Sequence, residues 1–282
     1  MSKPFRQVDV FCREPFSGNP VAVVADAEGL TDEQMRAISR WTNLSECTFL
    51  LPPTESGADY RVRIFSLDTE LPFAGHPTLG TAAAWLDLGG VPRSSDVIVQ
   101  ECGVGLVGIR QAEGRLAFHA PPLIRSGAVE DAHREMLRRT LQLNDAQIVD
   151  AAWADNGPGW VAVLVDSVET LHSITPDSSV IGTNAQKHIG VVAPSAQDQD
   201  TDFELRAFFP EESGSFREDP VTGSLNASVA QWLIASGRAN APYTAAQGTC
   251  MQRNGRIYVE GEGSELWVGG KATITVSGTI SL

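Results

Sequence analysis

Short runs of β-branched and aromatic residues, separated by turn residues, cover most of the chain and predict a fold rich in strands. Residues 8–11 and 21–25 are two such runs, and Gly18-Asn19-Pro20 lies just before the second. We therefore expect two paired strands joined through a turn. The other strands predicted in the first half are residues 47–51, 60–66, 97–100, 106–110 and 115–119.

A helix is predicted between the second and third of these strands. Thr31 and Gln34 have the spacing of a capping box, in which each side chain accepts a bond from the other residue's backbone N–H. The apolar residues that follow at helical spacing are Met35, Ile38 and Trp41. The helix is expected to end near Asn43.

Two more helices are predicted at corresponding places in the two halves of the chain. The first begins after His76-Pro77 and ends at Gly89-Gly90. The second extends from about residue 221 to residue 236, and Gly237 follows it. The residues expected to face inward are Leu79, Ala82, Ala83 and Leu86 in the first helix, and Leu225, Val229, Trp232 and Leu233 in the second.

The chain resembles itself when it is displaced by 143 positions. The pairs aligned without a gap are residues 60–65 with 203–208, Phe73 with Phe216, His76-Pro77 with Asp219-Pro220, and Gly80-Thr81 with Gly223-Ser224. Such a repeat predicts a duplicated α+β fold. Each of the two pseudo-symmetric halves would be a curved sheet wrapped around one central helix.

Composition and charge argue against several classes of protein. The 282 residues are 42% hydrophobic and 20% charged, as in ordinary globular proteins. A net charge of −14 makes nucleic acids and anionic membrane surfaces poor partners. No apolar stretch approaches the ~20 residues that span a bilayer, and no signal peptide is visible. The four cysteines lack C-x-x-C spacing, so we expect reduced thiols and a cytoplasmic protein.

The starts of the two matched helices carry candidate chemistry, because His76 and Asp219 each precede a proline there. A helix N-terminus presents unbonded N–H groups and a positive dipole end, which together suit it to bind an anion. A pseudo-two-fold axis would bring both starts to one cleft, where an acidic protein could still hold a carboxylate. The alternative is structural, with Asp219 as an N-cap and His76 as a turn residue.

Glu46 is a third candidate, since it lies between a helix end and an apolar strand. Leu44, Phe49 and Leu50 would desolvate its carboxylate, raise its pKa and suit it to proton transfer near neutral pH. The alternative is an exposed loop acid. The histidines and cysteines show no metal-ligand spacing, and dinucleotide, P-loop and serine-hydrolase motifs are absent.

Four ordered motifs resemble those of the phenazine-biosynthesis PhzF-like family, and they lie at residues 16–24, 43–46, 71–78 and 218–224. Gln247-Gly248 and residues 268–272 extend the resemblance almost end to end. The family shares the diaminopimelate-epimerase fold, which implies two similar halves, each a β-barrel around a central helix, with the site in the cleft between them. The implied halves are residues 1–118 and 119–271, with a final strand at 272–282 that pairs back with the first half.

The resemblance also implies proton shuttling without a cofactor or metal. Glu46 occupies the place of the glutamate that moves a proton between carbons of a dihydro-hydroxyanthranilate, and His76 and Asp219 match the other two catalytic positions. The implied substrate-binding residues are Asn19, Gly75, Gly223 and Ser224. Epimerases of this fold use two cysteines, but Ala74 and Asp219 stand at those places here, which argues against a two-thiol epimerase.

The leading hypothesis is therefore an isomerase of a small carboxylic acid, with Glu46 as proton carrier and His76 and Asp219 as relay or orienting groups. A second hypothesis is a non-catalytic protein of the same fold that binds a small acid or another protein. Family members are commonly dimers, so a homodimer is a further expectation, although the sequence has no diagnostic interface pattern.

Overall fold

The computed structural model describes residues 2–95, 97–180, 188–211, 214–263 and 265–282, where strands predominate and five α-helices are present. The strands are β1 (Ser2–Val10), β2 (Asn19–Val24), β3 (Glu46–Leu51), β4 (Tyr60–Ser66), β5 (Thr69–Leu71), β6 (Val97–Cys102), β7 (Gly105–Ala112), β8 (Arg115–His119), β9 (Arg125–Ala128), β10 (Ile148–Asp155), β11 (Trp160–Val165), β12 (His188–Pro194), β13 (Phe203–Pro210), β14 (Phe216–Asp219), β15 (Tyr243–Gln247), β16 (Gly255–Glu262), β17 (Glu265–Gly270) and β18 (Ala272–Ser281). The helices are α1 (Asp32–Thr42), α2 (Gly75–Asp87), α3 (Asp131–Thr140), α4 (Val168–Ser173) and α5 (Gly223–Ala235). In these ranges, no helix combines the length and the apolar character needed to cross a bilayer.

The chain divides into two compact units. The described residues of unit 1 lie within Met1–His119, Asn254–Arg256 and Gly269–Leu282. Those of unit 2 lie within Ala120–Arg253 and Ile257–Val268.

The sheet of unit 1 curves around helix α2. Strand β1 lies between β18 and β2 and is antiparallel to both. From β2 the sheet continues through parallel β3 and antiparallel β4, which pairs with β5 and, in parallel, with β6. Helix α2 packs against β1, β2, β3, β6, β8 and β18, and its residues 75–82 are all buried. Helix α1 packs on the outer side of β3 and β4, around Met35, Phe49 and Phe65.

The sheet of unit 2 has helices on both faces. Its strands run from β9 through β10 to β11, then to parallel β12, antiparallel β13 and the two neighbours of β13, β14 and β15. Helix α5 packs against β10 and β11 on one face. Leu137 of α3 and Leu171 of α4 belong to the apolar core on the other face. Strand β11 is buried along its whole length because both of its faces are covered.

The first predicted helix is confirmed in detail. Thr31 accepts a bond from the Gln34 backbone, the Gln34 side chain accepts one from the Thr31 backbone, and Asn43 ends α1 with a φ of 53°. A short polar side chain tolerates this left-handed conformation, which explains the position of the end. Trp41 was expected on the apolar side, but it is 81% exposed.

The predicted faces of the central helices need correction. Leu79 and Ala82 are buried as expected, but Ala84 is buried whereas Ala83 and Leu86 are only partly so. An amphipathic pattern describes a helix with one covered face. Helix α2 is covered on most sides by the curved sheet, so a single face does not describe it.

The starts of helices α2 and α5 are not separated by the 143 positions of the sequence repeat. That displacement is right for β4 and β13, which begin at Tyr60 and Phe203. Helices α2 and α5, however, begin at Gly75 and Gly223, which are 148 positions apart, because more residues separate β13 from α5 than β4 from α2. His76 therefore corresponds to Ser224, and its equivalence to Asp219 was wrong.

Candidate active site

Glu46 and His76 lie side by side in unit 1. Glu46 is the first residue of β3, and His76 is the second residue of α2, a helix that packs directly on β3. Oε2 of Glu46 is 3.3 Å from Nε2 of His76, and the two side chains are 16% and 5% exposed. Glu46 is therefore a sheltered carboxylate beside an imidazole, and the alternative of an exposed loop acid was wrong.

Burial determines the charge of His76. It lowers the pKa of the imidazole to about 3, so the ring is neutral at pH 7. A neutral ring has one N–H and one acceptor nitrogen. Nδ1 faces the Nδ2 donor of Asn19 at 3.5 Å and so accepts, which leaves the proton on Nε2, the ring nitrogen that lies 3.3 Å from Oε2 of Glu46.

Asn19 is held by a turn that the pattern analysis did not explain. It is fully buried at the start of β2. The carboxylate of Asp9, in β1, accepts bonds from the backbone N–H groups of Ser17 and Gly18, each at 3.0 Å. A Cβ on Gly18 would lie 2.1 Å from the carbonyl oxygen of Val10, so this approach requires glycine. The signal in the sequence was an acid inside an apolar strand.

The start of α2 is anchored by a buried chain of side chains. Ala74 is the N-cap and supplies no capping side chain, and Gly75 is the first helical residue. Nε2 of Gln100 donates to Oγ1 of Thr78 at 3.0 Å, and the Tyr60 hydroxyl donates to Oε1 of Gln100 at 3.1 Å. The first turn of α2 is thus fixed from β6 and β4.

The start of α5 is arranged around Asp219. This residue ends strand β14 and is 7% exposed, so the alternative of a helix N-cap was wrong. The N-cap is Thr222, whose hydroxyl donates to Oδ2 of Asp219 at 2.6 Å. Gly223 is the first, buried residue of the helix, and Ser224 is the second and is half-buried.

Gln247 holds this arrangement together. Its Oε1 accepts bonds from the Thr222 backbone at 3.0 Å and from Nδ2 of Asn226 at 2.8 Å. Its Nε2 donates to the Asp219 carbonyl at 3.1 Å and to Oγ1 of Thr222 at 3.0 Å. A buried glutamine with four bonds fixes both the strand end and the helix start.

The predicted site residues therefore form one group in each unit. Glu46, His76 and Asn19 meet in unit 1, where Gly75 is the neighbour of His76 in α2. Asp219, Gly223 and Ser224 surround the start of α5 in unit 2. The pattern analysis assigned no role to Asp9, Gln100 or Gln247, although each is a polar residue at an otherwise apolar strand position.

In the ranges that the structure describes, no three His, Cys, Asp or Glu side chains are grouped so that they could hold a metal ion. The four cysteines are free thiols, of which Cys12 and Cys47 are buried. Burial raises the pKa of both thiols.

The chain matches known proteins along almost its full length. Residues 8–278 match the PhzC-PhzF family, described as "Phenazine biosynthesis-like protein". The chain belongs to this family. It is 32% identical to "Antisense-enhancing sequence 1" of Schizosaccharomyces pombe, over 97% of each chain. It is 31% identical to the trans-2,3-dihydro-3-hydroxyanthranilate isomerase of Pseudomonas fluorescens, over 91% of this chain and 89% of that one.

Solved structures confirm the expected fold. A PhzF-family protein from Enterococcus faecalis is 26% identical and superimposes with a TM-score of 0.81 over the whole of both chains. A hydroxyproline epimerase from Agrobacterium vitis, at 15% identity and a TM-score of 0.59, shares the fold alone. The expected α+β fold of the epimerase type is confirmed. As a member of this family with relatives named as isomerases, the chain is an isomerase with a small-molecule substrate.

Proposed function

We propose that this isomerase moves a proton on a small carboxylic acid by general acid–base catalysis, without a cofactor, and that Glu46 carries the proton. The observation that carries the proposal is the 3.3 Å contact between Oε2 of Glu46 and Nε2 of His76 in a sheltered environment. A carboxylate held in this way can take a proton from one atom of a bound substrate and return it to another. No atom or electron is gained or lost overall.

His76 is an orienting group in this proposal. Because its ring is neutral at pH 7, it has a single N–H that it can donate to Glu46 while the ring itself carries no charge. A bond formed across this 3.3 Å contact would occupy one carboxylate oxygen and leave the other for the substrate. Asn19 keeps the ring in this orientation through Nδ1.

The starts of α2 and α5 would bind the substrate carboxylate. Gly75 and Gly223 are first helical residues, so their backbone N–H groups lie at positive dipole ends, and Ser224 adds a hydroxyl. Asp219, held by Thr222, would orient the reacting part of the substrate. We propose that the start of each helix contributes amide donors to substrate binding. Local amide donors allow this despite the net charge of −14.

The names of two relatives support the proposed substrate class. Two of them are named trans-2,3-dihydro-3-hydroxyanthranilate isomerase, whose substrate is a cyclic carboxylic acid. This compound is therefore the first probe, followed by other cyclic and amino-acid carboxylates. The expected homodimer and cytoplasmic location stay predictions.

The test replaces Glu46 with glutamine, which has nearly the same shape but cannot carry the proton. The wild-type protein should introduce solvent deuterium into the carbon skeleton of at least one probe, as read by mass spectrometry. Glu46→Gln should slow this exchange by about 10²- to 10⁴-fold, while calorimetric affinity for the same probe changes little. Glu113→Gln, at an exposed turn, is the matched control and should behave as wild type.

Two results would contradict the proposal. Unchanged exchange in Glu46→Gln would remove Glu46 from the reaction. Saturable binding by the wild-type protein with no exchange for any probe would favour the non-catalytic small-acid binder.

A further inference from the structure

Among the described residues, the Ser224 hydroxyl has a hydrogen-bond partner as an acceptor but none as a donor. Nε1 of Trp160 lies 3.0 Å from Oγ of Ser224, and Nδ2 of Asn156 donates to the Ser224 carbonyl at 2.9 Å. Trp160 is 3% exposed, whereas Ser224 is half-buried. Within the described part of the chain, no hydrogen bond uses the Ser224 hydroxyl as donor.

The indole is held rigidly by the turn between β10 and β11. Oδ1 of Asp155 accepts bonds from the backbone N–H groups of Gly157 at 2.7 Å and Gly159 at 2.6 Å. Both glycines have positive φ, which this turn requires. The His188 ring packs edge-on against Trp160 with centroids 5.5 Å apart. The direction of the Trp160 N–H is therefore fixed before any ligand binds.

The polarity of the Ser224 hydroxyl follows from this geometry. An indole N–H can only donate, so Oγ of Ser224 must accept. A hydroxyl that accepts from one fixed donor turns its own proton away from that donor. The Ser224 proton is then available to an external acceptor next to the first N–H groups of α5.

We propose that Trp160 is a positioning residue that makes Ser224 a committed hydrogen-bond donor and so selects a carboxylate over a neutral group of the same shape. The inference rests on the proposed function, in which Ser224 contacts the substrate carboxylate. A charged acceptor strengthens such a bond, whereas a neutral amide offers only its carbonyl oxygen as acceptor and places an NH₂ group where the carboxylate has its second oxygen. Trp160 acts through Ser224 and does not itself contact the substrate.

Paired probes test the selectivity. Anthranilate and anthranilamide share one ring and differ in charge, and the wild-type protein should prefer anthranilate. Trp160→Phe should weaken anthranilate binding by about 5- to 10-fold and anthranilamide binding by less than about 2-fold. The matched control is Trp153→Phe, because Trp153 is another buried indole and lies in β10. This variant removes the same atoms at a place away from Ser224 and should keep the wild-type preference.

A double-mutant cycle tests whether the effect passes through Ser224. Ser224→Ala should also weaken anthranilate binding, and adding Trp160→Phe should weaken it no further. Effects that multiply, or an undiminished anthranilate preference in Trp160→Phe, would overturn the inference.

An NMR measurement separates this inference from the proposed function. The indole N–H signal that is absent from the spectrum of Trp160→Phe is assigned to Trp160. Ser224→Ala should shift this signal in the ligand-free protein. If the wild-type protein shows no preference for anthranilate, the carboxylate site of the proposed function fails. The selectivity part of the inference fails with it, and the indole signal decides the part that remains: a shift supports the positioning of Ser224 by Trp160, and no shift overturns it.

Discussion

The starts of helices α2 and α5 are built on the same plan. Each helix has 13 residues, and neither N-cap, Ala74 or Thr222, bonds the first turn with its side chain. Each start is anchored by a buried glutamine on a parallel-paired strand: Gln100 is opposite Tyr60, and Gln247 is opposite Leu205. The scaffold that presents backbone N–H groups is therefore common to both units.

The two starts differ in the second helical residue. In unit 1 it is His76, which contacts the carboxylate of Glu46. In unit 2 it is Ser224, which contacts the indole of Trp160. The first pair contains groups that can exchange protons, whereas the second contains only hydrogen-bonding groups that stay neutral. In the proposed function, the same plan therefore serves proton transfer in one unit and anion binding in the other.

The largest expected difference between the two helix starts is in the stability that each anchoring glutamine contributes. Among the described residues, the side chain of Gln247 makes four hydrogen bonds to the start of α5 and the end of β14, whereas that of Gln100 bonds Thr78 and Tyr60. Replacing either by leucine leaves its buried partners unsatisfied, so Gln247→Leu should lower the free energy of unfolding by about 4 kcal/mol and Gln100→Leu by about 2 kcal/mol. Urea denaturation measures both. Equal costs would mean that the extra bonds to the start of α5 add no stability.

The charge of His76 provides the second difference. Its folded-state pKa of about 3 lies below the ordinary value of 6.5, so the folded protein resists a proton that the unfolded chain accepts. The stability from the neutral ring is fully present above pH 6.5 and is lost as the pH falls toward 3. Between pH 7 and pH 4 the wild-type protein should lose about 3 kcal/mol more than His76→Gln.

Urea denaturation at the two pH values checks this prediction. Burial also lowers the pKa values of His133 and His188, but both residues are present in both proteins and cancel in the difference. An equal loss of stability in the two proteins would contradict a buried neutral imidazole at position 76. Ser224→Ala, at the corresponding place in α5, should lose stability with pH as the wild-type protein does.

The smallest expected difference between α2 and α5 is in how much stability an alanine substitution costs at a closely packed position. A Cβ on Gly80 of α2 would lie 2.3 Å from Cγ1 of Val21, so Gly80→Ala should cost about 1–2 kcal/mol despite the higher helix propensity of alanine. At the corresponding place in α5, Ser228→Ala removes only a bond to the Leu225 carbonyl and should cost less than about 1 kcal/mol. The free energy of unfolding of each variant gives the answer. A Gly80→Ala protein as stable as wild type would show that the helix can move away from β2.

Local signals predicted much of the fold. The capping box at Thr31 and strands β4 and β8 were located correctly, because the residues that determine them are neighbours in the chain. The equivalence of His76 and Asp219 failed because an ungapped comparison cannot register extra residues before α5.

The contacts of the candidate site were harder to predict. Its candidate residues could be named from motifs, but the partners that orient them are distant in sequence. Gln100 bonds a residue 22 positions away, Gln247 bonds Thr222 from 25 positions away, and Trp160 meets Ser224 across 64. Periodicity reports on neighbours along one element, so it cannot identify such pairs.

The pairing of β1 with β18 has a consequence for biosynthesis. Strand β1 forms a ladder with β18 from Ser2 opposite Ser281 to Val10 opposite Ala272. On the ribosome, β1 emerges before β18, which follows only after the intervening chain has been made. One edge of β1 must remain open until then, while all of unit 2 has already been translated. Synthesis of unit 1 therefore begins before that of unit 2 and is completed after it.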